Sequence, residues 1–490
     1  METKKSREQE KTPFLDAYKA YLESDPVPFD VPGHKLGNFE TDLSRKLSPC
    51  FSKYDANAPI GLDNLYHAKG VIKEAEDLAA KACHADHCLF SVNGTTGAIL
   101  TRFRSTLHAK DKVIRPRNIH KSVVNGLILS GATPIFVNPF IDEELGVACQ
   151  RRRDDLIKAR DENKDAEAVF IINPTYFGVT SDLKKIVEEA HNRNRIVRCD
   201  EAHGSNFYFS SKLPVSARQA GADITARSRH KNSGSLTQTS LLLVKGKRID
   251  RLEVKRAFAR FSSTSPYHPL MASLDAARKE RALHGKEILD RCLELSKYAR
   301  EHLNKIPGIH VYDKDYIKKW NTTGVFDIDL TKLVIDVRGL GRFGYDVYKE
   351  IRKESNIQLE LGEVSVVLAI VGPGTTKEHI DRLIQAFERL SKEHYKEGKK
   401  LSVLRYRYTY PIRRRIPRTA YDDPYKILPL KDAVGEISEE TIRAYPPGIP
   451  IILPGEEISK DTITRINFYR REKGQILKDT KEGCIKVVVR

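Results

Sequence analysis

Four short segments of the chain carry side chains of the types that bind and activate small molecules. Asn93-Gly-Thr-Thr-Gly97 follows an apolar run and leads into a helical pattern, so its glycines, hydroxyls and helix N-terminus suit a phosphate. His120 follows a second apolar run, Asp200-Glu-Ala-His-Gly204 a third and Ser228-Arg-His-Lys231 a fourth. Together they offer an anion cradle, an aromatic ring, a carboxylate and a nucleophilic amine.

Each segment also has a simpler interpretation. The Gly-Thr-Thr-Gly turn could be a plain strand-to-helix connection, His120 and Lys231 could be solvated loop residues, and Asp200 could be a helix cap. Their shared position favours one site over four accidents, because ligands of open α/β sheets bind beyond the carboxyl ends of the strands. A phosphate cradle, a ring-stacking aromatic, a carboxylate and a lysine are what pyridoxal 5'-phosphate requires.

In such a site each side chain has a defined task. The amine of Lys231 condenses with the cofactor aldehyde until a substrate amine displaces it. The carboxylate of Asp200 keeps the pyridine nitrogen protonated by charge pairing, while small Ala202 leaves room for the ring and His203 can orient the aspartate. The residues expected around the cofactor are Thr95, Thr96, His120, Asp200, Ala202, His203, Ser228, His230 and Lys231.

The elements that must position these residues alternate between residues 85 and 250. Continuous apolar runs of this length suit strands covered on both faces, and Ser181 is expected to cap a helix whose apolar stripe begins at Leu183. This alternation predicts the α/β class with a mostly parallel sheet. The predicted strands are Leu89–Val92, Lys112–Arg115, Pro134–Val137, Ala168–Ile172, Ile196–Cys199, Ile224–Ser228 and Leu241–Val244.

The rest of the chain predicts further domains. Helical periodicity dominates Ala272–Leu303, a mixed segment covers Ile309–Lys396, and a proline-rich tail begins at Tyr410. We therefore expect an N-terminal arm, a large cofactor-binding domain, a smaller α+β domain and a C-terminal domain. Their expected bounds are residues 1–50, 51–305, 306–398 and 399–490.

Composition narrows the class of protein. The 490 residues are 40% hydrophobic and 31% charged, and no apolar run approaches the ~20 residues of a membrane helix, so we expect no membrane partner and no signal peptide. Seven cysteines without metal-ligand spacing suggest reduced thiols and a cytoplasmic setting. The formal charge of +18 would suit nucleic acid, but no nucleic-acid motif accompanies it, so we favour a basic enzyme surface.

These segments resemble the ornithine/lysine/arginine decarboxylases of bacterial type. The resemblance runs from about residue 13 into the C-terminal region. Beyond the four segments above, it rests on Val31-Pro-Gly-His-Lys35, Pro116-Arg-Asn-Ile-His-Lys-Ser122, Asn173-Pro-Thr-Tyr176, Gly234-Ser-Leu-Thr-Gln238, Ser263-Thr-Ser-Pro266, Ala272-Ser-Leu-Asp275 and Tyr445-Pro-Pro-Gly-Ile-Pro450.

The resemblance implies an aspartate-aminotransferase-like large domain and pyridoxal 5'-phosphate bound to Lys231 as a Schiff base, opposite Asp200 and beneath His120. It also implies a homodimer or larger homo-oligomer in which Ser263–Ser265 reaches the neighbouring subunit's cofactor, with Gly61–Leu65 near the site. The chain resembles the compact members of the family, which are commonly arginine decarboxylases. Arginine is thus the first expected substrate, giving agmatine for polyamine synthesis, with lysine or ornithine next.

Arginines stand at several positions where the family has apolar residues, often methionine. They include Arg102, Arg104, Arg115, Arg198, Arg218, Arg227, Arg229, Arg260 and Arg281, while the chain has only two methionines. Unpaired buried guanidinium groups cost several kcal/mol each. Three explanations are open: the arginines are real and partnered, the gene is a decayed copy, or the host reads one arginine codon as methionine. We favour the third, which would inflate the formal charge.

Two other functions remain open at this point. An aminotransferase or a carbon–sulfur lyase would use the same lysine and aspartate on the same fold. A basic nucleic-acid-binding protein would bind with steep salt dependence and without a cofactor.

Overall fold

Helices and strands alternate along the part of the chain that the computed structural model describes. That part comprises residues 4–39, 42–48, 50–57, 59–142, 145, 147–150, 153–401, 409–445, 449–471 and 475–489. The chain divides into two units. The first comprises Met1–Thr106, Arg198–Ser211 and Val215–Leu289, and the second comprises Leu107–Val197, Lys212–Pro214 and Asp290–Arg490.

The helices of the described ranges are numbered α1 to α16 in chain order. They span Lys4–Gln9, Pro13–Glu23, Asp42–Lys46, Cys50–Lys53, Val71–Ala82, Gly94–Thr106, Lys121–Ser130, Arg153–Glu162, Leu183–His191, Arg251–Phe261, His268–Leu303, Asp315–Trp320, Gly344–Glu354, Lys377–His394, Pro417–Asp422 and Lys460–Arg471. Short 3₁₀ turns lie at Leu65–His67, Asn321–Thr323, Arg338–Leu340 and Leu430–Asp432.

The strands of the same ranges are numbered β1 to β20. They span His87–Ser91, Lys112–Pro116, Thr133–Val137, Ile141–Asp142, Val147–Ala148, Ala166–Ile172, Val179–Thr180, Ile196–Asp200, Ile224–Ser228, Ser240–Val244, His310–Val311, Asp327–Ile328, Lys332–Asp336, Leu361–Gly362, Val366–Ile370, Tyr425–Pro429, Ile442–Tyr445, Ile449–Ile452, Gln475–Leu477 and Cys484–Val488. All seven strands predicted from the sequence are present, with bounds within two residues of those predicted.

In the first unit, sheet strands lie in the order β1-β10-β9-β8. Strands β8 and β9 are parallel, with Asp200 opposite Ala226, whereas β10 runs antiparallel to both β9 and β1. Helix α6 packs on β1, β9 and β10, and α10 packs on α6. This arrangement brings the carboxyl ends of β1, β8 and β9 to one edge, where β10 begins.

In the second unit, sheet strands lie in the order β6-β2-β3 and are parallel to one another. A four-stranded antiparallel sheet has the order β11-β13-β15-β14. The C-terminal strands form β16-β20 and β18-β17-β19, around buried residues that include Ile442, Ile452 and Ile485. The α/β class with a mostly parallel sheet is confirmed, while the four-part division of the chain stays a prediction.

One predicted helix start is wrong by a residue. The side chain of Asp182, not Ser181, caps α9 by accepting a hydrogen bond from the backbone amide of Lys185. The hydroxyl of Ser181 donates instead to Asn173 Oδ1, at 3.2 Å, so it is already engaged. The predicted apolar stripe from Leu183 to Ala190 is buried.

Candidate active site

The predicted phosphate cradle lies at the start of α6 in the first unit. Gly94 has φ +66° and donates its amide to the carbonyl of Gln238 at 2.8 Å, which turns the chain from β1 into the helix. Glycine adopts this left-handed conformation at no steric cost. Thr95 Oγ1 lies 3.1 Å from Ser240 Oγ, and Thr96 is exposed. The first helical turn therefore presents hydroxyls and unbonded amides suited to an anion.

A row of serines crosses three neighbouring strands at this edge. Ser91 on β1 is opposite Ser240 on β10, which is opposite Ser228 on β9. The hydroxyl of Ser240 donates to the carbonyl of Arg227 at 2.8 Å, and Ser228 is fully buried. Sequence reasoning named Ser228 but missed Ser91 and Ser240, because only strand pairing makes them its neighbours.

His230 is fixed beside this row. Its Nδ1 lies 3.1 Å from Ser228 Oγ and 3.0 Å from the carbonyl oxygen of Thr239. The imidazole is half-buried, so part of its surface stays open. Ser228 and His230 thus lie together at the carboxyl end of β9, where the sequence predicted them.

The lysine and the histidine of the two predicted loops meet directly. Lys231 Nζ lies 2.7 Å from His203 Nε2, and Asn232 Nδ2 donates to the carbonyl of His203 at 3.2 Å. His203 is buried, with 7% exposure, while Lys231 is half-buried. An ammonium donates to an unprotonated ring nitrogen, so His203 can accept a proton from the amine.

Asp200 ends β8 in a buried position. Its Oδ1 accepts a hydrogen bond from the amide of Ala202 at 3.2 Å, and Ala202 itself is half-buried. The backbone of its own loop therefore orients the carboxylate. The proposed orienting role of His203 toward Asp200 stays a prediction.

Glu201, which was not predicted from the sequence to have a role, holds that loop through buried hydrogen bonds. It is fully buried, and it accepts hydrogen bonds from Tyr208 Oη and from the amide of Ala217, each at 2.6 Å. Burial raises its pKa to about 7, against the lowering effect of these two hydrogen bonds. Glu201 thus holds the loop that follows Asp200 against Tyr208 and Ala217.

His120 belongs to the second unit, where it caps α7. Its Nδ1 accepts from the amide of Ser122 at 3.2 Å and lies 2.8 Å from Ser122 Oγ. The side chain is exposed. The cap fixes one edge of the imidazole, and the stacking role of the ring stays a prediction.

Three further segments singled out from the sequence have mixed outcomes. Ser263–Ser265 is exposed. In Gly61–Leu65, Asp63 accepts hydrogen bonds from the amides of Lys69 and Gly70, which is a local structural role. Of the Tyr445–Pro450 segment, residues 446–448 lie outside the described residues.

Relatives of known function resemble the chain along almost its whole length. It is 39% identical to the arginine decarboxylase of Bacillus subtilis over 484 residues, which covers 98% of each chain. It is 39% identical to the arginine decarboxylase of Halalkalibacterium halodurans over 473 residues, which covers 94% of each. These matches extend over both units.

Family profiles and solved structures agree with these relatives. The lysine decarboxylase LdcF of Francisella novicida superposes with a TM-score of 0.83 and 21% identity, covering 97% of this chain and 81% of that one, which supports the fold. The Orn/Lys/Arg decarboxylase major domain matches residues 12–378, and the C-terminal domain of that family matches residues 415–475. The expectation of an enzyme of the decarboxylase class is confirmed, and the chain belongs to the Orn/Lys/Arg decarboxylase family.

Proposed function

We propose that this chain converts arginine to agmatine and carbon dioxide with pyridoxal 5'-phosphate as its cofactor. The observation that carries the proposal is the 2.7 Å contact between Lys231 Nζ and His203 Nε2, at the sheet edge that also bears Asp200 and the serine row. Two arginine decarboxylases at 39% identity favour arginine over lysine or ornithine. The agmatine would feed polyamine synthesis.

The side chains of the first unit fit this cofactor. Lys231 supplies the amine that holds it covalently, and Asp200 holds the proton on its ring nitrogen. When bound, the cofactor supplies an electron sink for the pair left behind as the carboxylate departs. Hydrogen-bond donors for its phosphate come from Thr95, Thr96, Ser228 and His230. Small Ala202 leaves room for the ring, and His120 would stack on it.

The contact with His203 prepares the lysine for its task. A protonated amine is not a nucleophile, and an imidazole that accepts its proton at 2.7 Å leaves a free electron pair on Nζ. The same nitrogen can return the proton when the amine is displaced by substrate. His203 therefore serves proton transfer at Nζ in this proposal, in addition to any effect on Asp200.

An aminotransferase or a carbon–sulfur lyase would use the same groups, and product analysis separates the three. Purified protein is incubated with the cofactor and arginine, lysine or ornithine in turn. We expect agmatine and carbon dioxide in equal amounts from arginine, and neither product from Lys231→Ala. Lys245→Ala, a change at an exposed lysine just beyond β10, is the matched control and should keep full turnover. An oxo acid without carbon dioxide would overturn the proposal.

The working form in this proposal is a homodimer. Large apolar side chains are exposed along one N-terminal stretch, and Phe29 and Ile60 are almost wholly in water at 93% and 102% exposure. Exposed apolar surface of this extent marks an interaction site. The members of this stretch are Val27, Phe29, Val31, Phe39, Leu43, Leu47, Phe51, Tyr54 and Ile60.

Mixing inactive subunits tests the dimer and the proposed reach of Ser263–Ser265 together. A variant with Ser263, Thr264 and Ser265 changed to alanine should be inactive alone, as should Lys231→Ala. Refolding the two together forms mixed dimers with one complete site, so up to about a quarter of the normal turnover should return. No recovery, although mixed dimers form, would mean that the segment serves its own subunit.

We also place the enzyme in the cytoplasm. None of the seven cysteines, all of which lie in the described ranges, forms a disulfide, and five of them are buried, as expected in a reducing compartment. Among the described residues, no helix combines the length and apolarity needed to cross a bilayer.

A further inference from the structure

Arginine dominates the largest fully buried side chains of the described residues. Arginine is among the residues least often buried in soluble proteins unless it is paired. The buried arginines are Arg102, Arg115, Arg117, Arg198, Arg218, Arg227, Arg229, Arg278 and Arg281. They fall into two groups according to what surrounds the guanidinium group.

The first group has carboxylate partners built into the fold. Arg117 donates from both Nη atoms to the carboxylate of Glu456, and its partner is only 1% exposed. Arg278 donates to Asp275 Oδ1 at 2.7 Å and also to the carbonyl of Gln9. These arginines satisfy the rule that a buried charge is paired.

Arg229 represents the second group. Its side chain is 1% exposed, and Nη2 donates to the carbonyl of Ala277 at 3.0 Å, but neither Nε nor Nη1 has an acceptor. Within the described residues, no carboxylate lies in salt-bridge distance of Arg229 or of Arg218, whose Nε and Nη1 also lack acceptors. Each missing hydrogen bond of a buried donor costs about 1–3 kcal/mol.

Other members of the second group interrupt apolar strands. Arg198 on β8 is opposite Ile224, and Arg227 on β9 is opposite Leu241; both are 0% exposed. The Arg227 guanidinium carbon lies 3.9 Å from the ring centre of Tyr208, and one Nη contacts the thiol of Cys83. In the second unit, the guanidinium carbon of Arg115 on β2 lies 5.6 Å from the ring centre of Phe136 and 5.2 Å from that of Phe170.

The second group also places like charges together. Burial, together with the neighbouring cations Arg227 and Arg281, lowers the pKa of Arg229 to about 9. Burial likewise lowers the pKa of Arg102 to about 10. The two nitrogens without acceptors in each of Arg218 and Arg229 cost about 1–3 kcal/mol apiece, which is a large share of the ~5–15 kcal/mol by which a domain is stable.

A decayed gene does not explain this pattern. Random loss would change many residue types, yet the foreign residue here is always arginine. It would also damage the site, whereas Ser228, His230 and Lys231 are intact on either side of Arg229. The chain also has only two methionines, Met1 and Met271, in 490 residues, so the excess of buried arginine is accompanied by a shortage of methionine. Unbranched, flexible methionine fills irregular core gaps without a charge.

We propose that methionine occupies these buried positions in the protein made by its own cells, because the host reads one arginine codon as methionine. The positions are Arg102, Arg115, Arg198, Arg218, Arg227, Arg229 and Arg281. Seven such replacements lower the formal charge of +18 by seven and further weaken the nucleic-acid alternative. Arg104 and Arg260, also suspected from the sequence, are exposed, so burial does not extend the inference to them. The inference stands whichever reaction the enzyme catalyses.

The gene and the native protein test the inference without any activity assay. One and the same arginine codon should serve all seven positions. A different codon should serve Arg117, Arg278 and Arg338, which are paired with carboxylates, and Arg418, which is only half-buried. Peptides of the native protein should have the mass of methionine at the seven positions, and trypsin should leave those bonds uncut. Mixed codons, or arginine masses at these positions, would overturn it.

Recombinant protein gives an independent physical readout. In a host with the standard code, replacing all seven arginines by methionine should increase the soluble yield and raise Tm by roughly 10 °C, since each kcal/mol is worth ~2–4 °C. The matched control changes Arg117, Arg278 and Arg338 to methionine and should lower Tm instead. Equal losses in both variants would show that the seven guanidinium groups stabilise the fold as much as the carboxylate-paired ones do and would refute the inference.

Discussion

Two buried regions of this molecule treat positive charge in opposite ways. In the second unit, Arg117 is 339 residues from Glu456 in sequence, yet folding joins the two as a fully buried ion pair. In the first unit Arg278 is likewise paired with Asp275, but Arg198 and Arg227 lie within β8 and β9, opposite Ile224 and Leu241. A buried carboxylate balances the charge of Arg117, whereas the guanidinium groups of Arg198 and Arg227 donate to the backbone carbonyls of Thr106 and Ser205.

The same two strands contain a second contrast along their length. At their carboxyl ends, Asp200 accepts a loop amide and Lys231 meets His203, so the polar groups there are positioned for chemistry. Two residues before Asp200 and before Lys231, the buried guanidinium groups of Arg198 and Arg229 donate to the backbone carbonyls of Thr106 and Ala277. The site is thus intact beside positions whose side chains do not suit their environment, which argues for a difference in decoding over loss of function.

The largest expected effect is a loss of turnover when the carboxylate at the end of β8 is removed. Asp200→Asn keeps the shape and removes the charge, so the cofactor should still bind while turnover falls about 10²–10⁴-fold. Asp223→Asn makes the same change at a buried aspartate just before β9 begins, far along the strand from the site, and it should leave kcat unchanged. The measurement is the steady-state rate of each variant with saturating cofactor. Near-normal turnover of Asp200→Asn would assign the ring nitrogen to another group.

The next largest effect is a loss of stability when the buried ion pair is broken. Arg117→Met leaves Glu456 buried and unpaired, and it should lower the free energy of unfolding by about 3–5 kcal/mol. Denaturant unfolding of the variant and the parent measures the difference. A loss below about 1 kcal/mol would mean that this ion pair does not distinguish the two regions.

The third effect is a gain in the free energy of unfolding. Arg229→Met removes a cation with two unsatisfied nitrogens, so the free energy of unfolding should rise by about 1–3 kcal/mol. Lysine is the matched control, because Arg229→Lys keeps the charge and should not stabilise. If methionine destabilises as much as lysine does, Arg229 is a true arginine.

The smallest effect is a pH dependence centred on Glu201. Its pKa in the folded protein is raised to about 7 by burial, above the usual value of 4.5. Between these values the folded state keeps a proton that the unfolded state loses, so stability should fall as pH rises from about 4.5 to 7 and level off above. Glu201→Gln should flatten this profile. Replacing Arg218 and Arg227 by methionine removes two cations that lower this pKa, so the decline should extend to higher pH.

The sequence predicted most of the sheet and the position of several candidate site residues at its strand ends, while the roles of those residues stay predictions. Apolar runs located the sheet strands, and the polar residues at the strand ends located Lys231, Asp200 and Ser228, because both are local signals. Ser240 was missed since only antiparallel pairing with β9 and β1 brings it to the site. The ion pair of Arg117 with Glu456 was equally hidden, because no local pattern links residues so far apart.

The central claim is that Lys231 is the residue that holds the cofactor, and chemical trapping tests it most directly. Protein loaded with pyridoxal 5'-phosphate is reduced with borohydride, digested and analysed by mass spectrometry. We expect one modified lysine, Lys231, and no modification in Lys231→Ala. Modification of a different lysine, or an unchanged extent of modification in Lys231→Ala, would contradict the claim.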